Sequence, residues 1–153
     1  MSMPPVPPPP SLDSEDRRKH LEFVQAAIAR MSSASGLAKG WALSVATVAY
    51  GYAGTQDAVN AALVGVFAVV LFAWVDAGYL KLEREFRHLY DGIRLGRVAT
   101  FDMHARGYCD GRPAAEVRNC TWMCVVRSWT IVRFYGLMAL AGVFVAGWIL
   151  LQN

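Results

Sequence analysis

Three stretches of this chain are apolar almost throughout, and the segments beside them repeat their apolar positions at helical spacing. The first stretch runs from Gly36 to Gly54 (GLAKGWALSVATVAYGYAG), the second from Ala58 to Leu80 (AVNAALVGVFAVVLFAWVDAGYL) and the third from Phe134 to Leu151 (FYGLMALAGVFVAGWILL). Each is close to the ~20 residues that a helix needs to cross a hydrocarbon layer of ~30 Å. The first holds one charge, Lys39, near its start; the second holds Asp76 near its end; the third holds none. The buried helices of a soluble bundle usually keep one polar stripe, and the third stretch offers none on any face. The pattern therefore predicts an all-α integral membrane bundle with three transmembrane helices, 36–54, 58–80 and 134–151.

The flanks predict cytoplasmic amphipathic extensions of those helices. Leu21, Val24, Ile28 and Met31 recur at spacings of 3, 4 and 3, one apolar stripe on a helix. Ser14 can cap that helix, with Glu15 and Asp16 in the first turn where the helix dipole favours acids, and Ser32, Ser33, Ser35 and Gly36 are expected to loosen it before the membrane. Beyond the second span, Leu82, Phe86, Leu89, Tyr90 and Ile93 share a face opposite Lys81, Arg84, Glu85 and Arg87. The short connector between the first two spans makes them an antiparallel hairpin, so the two amphipathic extensions come together as mates, within one chain or between chains. Gly96, Gly107, Gly111 and Pro113 mark a loop from Arg97 to Asn119, with helix resuming near Ala114. Six of the seven prolines fall in residues 1–12, a solvated polyproline or disordered tail that can also fit an aromatic groove on a partner. The expected division is a tail 1–13, an amphipathic helix, hairpin and cytoplasmic helix over 14–97, a cytoplasmic loop and helix over 98–133, and the last span 134–151.

Charge sets an orientation. Of the fifteen Lys and Arg residues, Arg17, Arg18, Lys19, Arg30 and Lys39 precede or enter the first span, ten lie from Lys81 to Arg133, and none lies between spans one and two or after span three. All fall on one side if the chain crosses three times, so the positive-inside rule puts the N-terminus in the cytoplasm and Gln152-Asn153 outside a bacterial-type inner membrane. The net charge of +3 then faces the anionic inner leaflet; bases alternate with acids, which speaks against nucleic acid as a partner. No cleavable signal peptide is visible, so the first span is expected to remain as an anchor. Trp41, Trp74, Tyr79 and Tyr135 fall at the inner boundary, and Tyr50, Tyr52 and Trp148 at the outer one.

Candidate chemistry is sparse. Lys39 and Asp76 are the charges closest to hydrocarbon; they can pair and fix the relative depth of the first two spans, or each can snorkel to the interface alone. Neither lies at mid-membrane, and no inverted repeat appears, so transport by this chain is not expected. Small residues recur four apart at Ala42 and Ala46, Ala49 and Ala53, Ala61 and Gly65, and Gly142 and Ala146, a pattern that lets helices approach closely and suggests self-association. His104, Cys109, Cys120 and Cys124 form H-x4-C-x10-C-x3-C, which lacks the paired C-x2-C of a zinc site and reads better as small apolar residues held reduced in the cytoplasm. Phosphate loops, dinucleotide fingerprints, H-E-x-x-H and nucleophile elbows are absent, and Glu83, Glu85, His88, Asp91, Asp102 and His104 read as a solvated face rather than an acid–base site. No cofactor and no enzyme activity are expected.

HLEFVQAAIARMSSASGLAKGW, VDAGYLKLEREFRHLYDGIR and SWTIVRFYG together resemble small bacterial multi-pass membrane proteins, the two-transmembrane antiphage effectors of the SLATT type, over residues 20 to 137. The resemblance implies an effector that oligomerises and permeabilises its own cell's inner membrane on a trigger supplied by a partner. A third span and a proline tail depart from that pattern. The other class open to this sequence is a non-catalytic scaffold that holds a cytoplasmic protein at the bilayer.

Overall fold

A computed structural model describes residues 12–99, 101–113 and 116–152, and over these the chain is all-helical. Helix α1 (Leu12–Gln56) has 45 residues, α2 (Val59–Arg94) 36 and α5 (Trp129–Gln152) 24, lengths of about 68, 54 and 36 Å at 1.5 Å per residue. Two short helices, α3 (Ala105–Asp110) and α4 (Trp122–Val126), and a 3-10 turn (Arg118–Cys120) fill the connection from α2 to α5. The proline-rich tail lies outside the described residues.

Helices α1 and α2 form an antiparallel hairpin whose turn puts Asp57 in the left-handed region, φ 48°, and α5 packs antiparallel to α2. Three apolar clusters follow one another along the bundle. At the turn end, Ala53, Ala62, Ala146 and Ile149 meet; further along, Ala42, Ala46, Val69, Ala77, Tyr135 and Met138; at the far end, Val24, Leu89, Ile93 and Ala105, with Leu21, Ile28, Phe86 and Tyr90 against them. The apolar stripes of the two amphipathic extensions are thus mates within one chain.

Several sequence expectations are corrected. Ser32, Ser33, Ser35 and Gly36 do not loosen α1, which runs unbroken through them: their propensity cost of roughly 0.5–1 kcal/mol each is outweighed because Ser35 and Ala38 are buried. Among the described residues α1 already includes Leu12, so Ser14 lies within the helix rather than at its cap. The connection after α2 is more regular than a loop, since α3, the 3-10 turn and α4 occupy it; the expected restart near Ala114 lies outside the described residues, and α5 begins at Trp129, five residues ahead of the predicted span. Glu85 is not on a solvated face. That side of α2 is covered by the segment that carries Cys109 and Cys120, which leaves Glu85 2% exposed; Glu83, on another face of the helix, is 8% exposed.

Helix α2 ends on a Schellman motif: Arg97 N–H reaches Gly92 O and Gly96 N–H reaches Ile93 O, with Gly96 at φ +69°, a conformation that favours glycine. Arg17 of α1 also donates to Ile93 O at 3.3 Å, placing a cation at the negative end of the α2 dipole.

Among the described residues, two helices, α2 and α5, are long and apolar enough to cross a membrane, and only 28% of the apolar window of each is buried. A soluble core helix would be mostly buried. Apart from Val69, Tyr135, Met138 and Ile149, the interior of these segments is built from small residues. Inside lie Ala42, Ala46, Ala53, Ala62, Gly65, Gly142 and Ala146, while Leu63, Phe67, Leu71, Trp74, Leu137, Phe144 and Trp148 face outward. In water this arrangement wastes the large apolar groups; in lipid, where tails are as apolar as leucine, close packing of small residues is what joins helices. Segment 36–54 of α1 is less apolar than α2 or α5, yet it follows the same sorting, with Leu37, Trp41, Val48 and Tyr52 exposed.

Candidate functional site

Asp76 of α2, 0% exposed and the most deeply buried charged residue of the described chain, sits where the three long helices meet. Lys39 of α1 places Nζ 2.7 Å from Asp76 Oδ2, and Ser35, one turn earlier on the same face, donates its hydroxyl to Asp76 Oδ1 at 2.5 Å. Lys39 Nζ also donates to Ser35 Oγ at 2.7 Å, which closes a triangle of three polar side chains. The phenol of Tyr135, at the start of α5, is buried and turned toward the same carboxylate. The sequence singles out Lys39 and Asp76 and leaves open whether they pair or snorkel apart. The geometry pairs them, because α1 and α2 run antiparallel with Ser35 and Asp76 level.

A second three-helix contact sits further toward the hairpin turn. Tyr50 of α1 lies in a notch made by two glycines: a Cβ on Gly65 would come within 2.6 Å of Tyr50 Cε1 and 2.8 Å of Ala49 Cβ, and a Cβ on Gly142 within 2.5 Å of Tyr50 Oη. The small residues assigned to helix packing therefore pack inside one chain. Ala42, Ala46, Gly65, Gly142 and Ala146 are buried there and Ala61 is half-buried, so they are not a free face for a second copy. Tyr135 and Tyr50, expected as interfacial anchors, turn inward, whereas Trp41, Trp74, Tyr52 and Trp148 are exposed at the surface.

The end of the bundle away from the α1–α2 turn holds the remaining candidates apart from one another. His104 is exposed and bonds Asp102 at 3.0 Å; the backbone N–H of His104, with its side chain second, lowers the carboxyl pKa of Asp102. Cys109 and Cys120 are buried with their sulfurs 3.6 Å apart, and burial, then the contact with Cys120, pushes the Cys109 thiol up to about 12. Burial likewise raises Cys120. Cys124 stands separately, and among the described residues no three metal-binding side chains gather. Glu83 pairs with Arg87 at 2.6 Å and Glu85 pairs with Lys81, so these two acids of α2 are engaged in structural ion pairs.

His20 carries a role that the sequence reading missed. It is 1% exposed; its Nδ1 accepts from Phe101 N–H at 3.2 Å and its Nε2 bonds Asp102 O at 2.9 Å. One imidazole thus pins the segment after α2, including Phe101 at φ 63°, onto α1. Ser35 was also legible, since it stands four residues before Lys39 on one helix face; His20 had no local signal, because its partners lie about eighty residues away.

No family model, no curated protein and no solved structure matches this chain.

Proposed function

We propose that this chain is a three-span bacterial inner-membrane protein, N-terminus in the cytoplasm and the end of α5 outside, that acts on the bilayer as a membrane-permeabilising effector of the kind its sequence resembles. The single observation that carries the membrane part is the inverted sorting of side chains, small within and large without, which extends to segment 36–54 of α1. It supports α1 as the third crossing helix beside α2 and α5. The orientation rests on the confinement of all fifteen cationic residues to one side.

The effector part rests on the resemblance, and on a polar interior that suits a switchable bundle. Ser35, Asp76 and Tyr135 are polar groups buried between the helices, with Lys39 partly buried beside them; helices that part at this junction would expose them to one another's copies or to water. The test is inducible expression in a bacterial host with a potential-sensitive dye and a growth curve. Rapid depolarisation at verified membrane abundance is the expected result. Unchanged potential and growth would overturn the permeabilising role.

A scaffold is the second reading, favoured by one feature. Phe23, Phe101 and Met103, with Ala26 and Arg30, line an open groove of about 500 Å³ on the cytoplasmic head, and Phe23 and Phe101 are about half exposed. A pull-down whose partner is lost in Phe23→Ala, with normal membrane potential, would establish that reading in place of the first.

A further inference from the structure

One face of α2 changes character along its length. Phe67, Leu71 and Trp74 are exposed, and on the same side the next turns bring Gly78, Lys81 and Leu82, and then Glu85. From Gly78 onward this face forms the floor of a cavity of about 440 Å³, completed by Arg106 of α3 and Trp122 of α4. The rings of Trp74 and Trp122 lie 5.5 Å apart, so the cavity's lower lip is a tryptophan pair at the depth where such side chains mark the bilayer interface. Its upper end is cationic.

Charge and shape both point to an amphiphilic anion. Lys81 is paired with Glu85, which leaves Arg106 as the uncompensated charge among the lining residues; Arg106 is exposed and makes no ion pair or hydrogen bond among the described residues. Gly78 leaves a gap that the protein does not fill, since a Cβ there would meet nothing within 4 Å. An acyl chain laid along Phe67, Leu71 and Trp74 would carry its headgroup past Gly78, about 10 Å from Trp74 to Lys81 along the helix, and bring a phosphate to Arg106. Basic pockets beside membrane helices on the cytoplasmic side take anionic headgroups in this way.

We propose that this groove binds an anionic phospholipid of the inner leaflet, with its phosphate at Arg106 and Lys81 and its acyl chain on the exposed face of α2. The assignment rests on the membrane-spanning reading. Gly78→Leu is the informative variant, because its Cβ enters open space and its side chain fills the groove, and Arg106→Gln removes the charge while leaving the Lys81–Glu85 pair intact.

The full chain is reconstituted in phosphatidylcholine vesicles, and the motionally restricted fraction of spin-labelled phosphatidylglycerol is compared with that of spin-labelled phosphatidylcholine. A preference of about fivefold is expected, from ~1 kcal/mol for one basic residue at an anionic surface, falling to near parity in both variants. Equal binding of the two lipids, or a preference untouched by Gly78→Leu, would overturn the site. Loss of the preference on adding millimolar inorganic phosphate would assign the cavity to free phosphate and overturn the lipid assignment. Failure of the chain to float with the vesicles would overturn the spanning reading and this site together, whereas flotation without selectivity removes the site alone.

Discussion

Asp76→Ala should be among the most destabilising substitutions in the molecule. The carboxylate is fully buried, receives Ser35 Oγ at 2.5 Å and faces Lys39 Nζ at 2.7 Å. Removing it leaves a part-buried ammonium between α1 and α2 with the Ser35 oxygens as its remaining partners. Breaking one side of a buried ion pair costs about 3–5 kcal/mol. At about 2–4 °C per kcal/mol for a chain of this size, the thermal midpoint should fall by about 6–20 °C, read as loss of the monodisperse peak after heating in a non-ionic detergent. Lys39→Met combined with Asp76→Val removes both charges, and replacing a whole buried pair by apolar groups is often neutral; Ser35 can then turn its hydroxyl to a carbonyl one turn back in α1. The double variant should recover most of the loss. A single variant within about 2 °C of the parent, or a double variant no better than the single, would refute the view that this pair ties α1 to α2.

Further outcomes follow from other contacts. Gly142→Ala drives a methyl into the Tyr50 ring and should cost about 1–3 kcal/mol by overpacking; a Tyr50→Ala background should remove most of that penalty in a double-mutant cycle, and additivity of the two changes would contradict the notch. His20→Leu leaves Phe101 N–H and Asp102 O without their imidazole partner, at about 0.5–1.5 kcal/mol for each of these part-buried hydrogen bonds, and hydrogen exchange should quicken at Phe101 and its neighbours while α5 is unaffected. Cys109, with its thiol pushed up to about 12 by burial, should be almost wholly protonated at pH 8, so iodoacetamide should label the half-buried Cys124 well before Cys109. Cys109 labelling should rise about tenfold per pH unit toward its pKa as thiolate forms, and equal rates at pH 8 would show that the pocket is open.

What the sequence made legible was whatever repeats along a helix. The stripe of Leu21, Val24 and Ile28 and that of Phe86, Leu89 and Ile93 each show in a window of a dozen residues, and the short connector after Gln56 forces them together. Lys39 and Asp76 stood out because charge is rare in apolar runs. Helix continuity through Ser32–Gly36 did not show, because it depends on Ser35 finding Asp76 forty-one residues later, a tertiary bond that overrides local propensity. Glu85 misled for a similar reason: helical periodicity gives α2 one apolar face, and only the covering segment around Cys109 and Cys120 turns a second face inward. The small-residue pairs were visible, but whether they join copies or join helices of one chain depends on the Tyr50 notch, which no spacing rule contains.

That last point changes how an effector built from this chain would work. Large apolar residues facing lipid give two copies little reason to prefer each other over lipid tails, and the small-residue faces that would drive close approach are occupied inside the bundle by Tyr50 and by the facing alanines. Assembly into a permeable structure then requires the bundle to open, and the Ser35–Lys39–Asp76 triangle is a polar tie that holds α1 to α2. Weakening that triangle should favour the open form. Under the effector reading, Asp76→Ala at matched membrane abundance should therefore depolarise the host faster than the parent chain, although it is the less stable protein; Gly142→Leu, by contrast, disrupts the bundle at Tyr50 and is a lesion of the fold rather than of an interface between copies. A scaffold would respond to Asp76→Ala with reduced abundance and nothing else. If the dye signal per molecule in the membrane is no greater for Asp76→Ala than for the parent, the bundle is not a closed form waiting to open, and the polar triangle serves only to hold two helices at one depth.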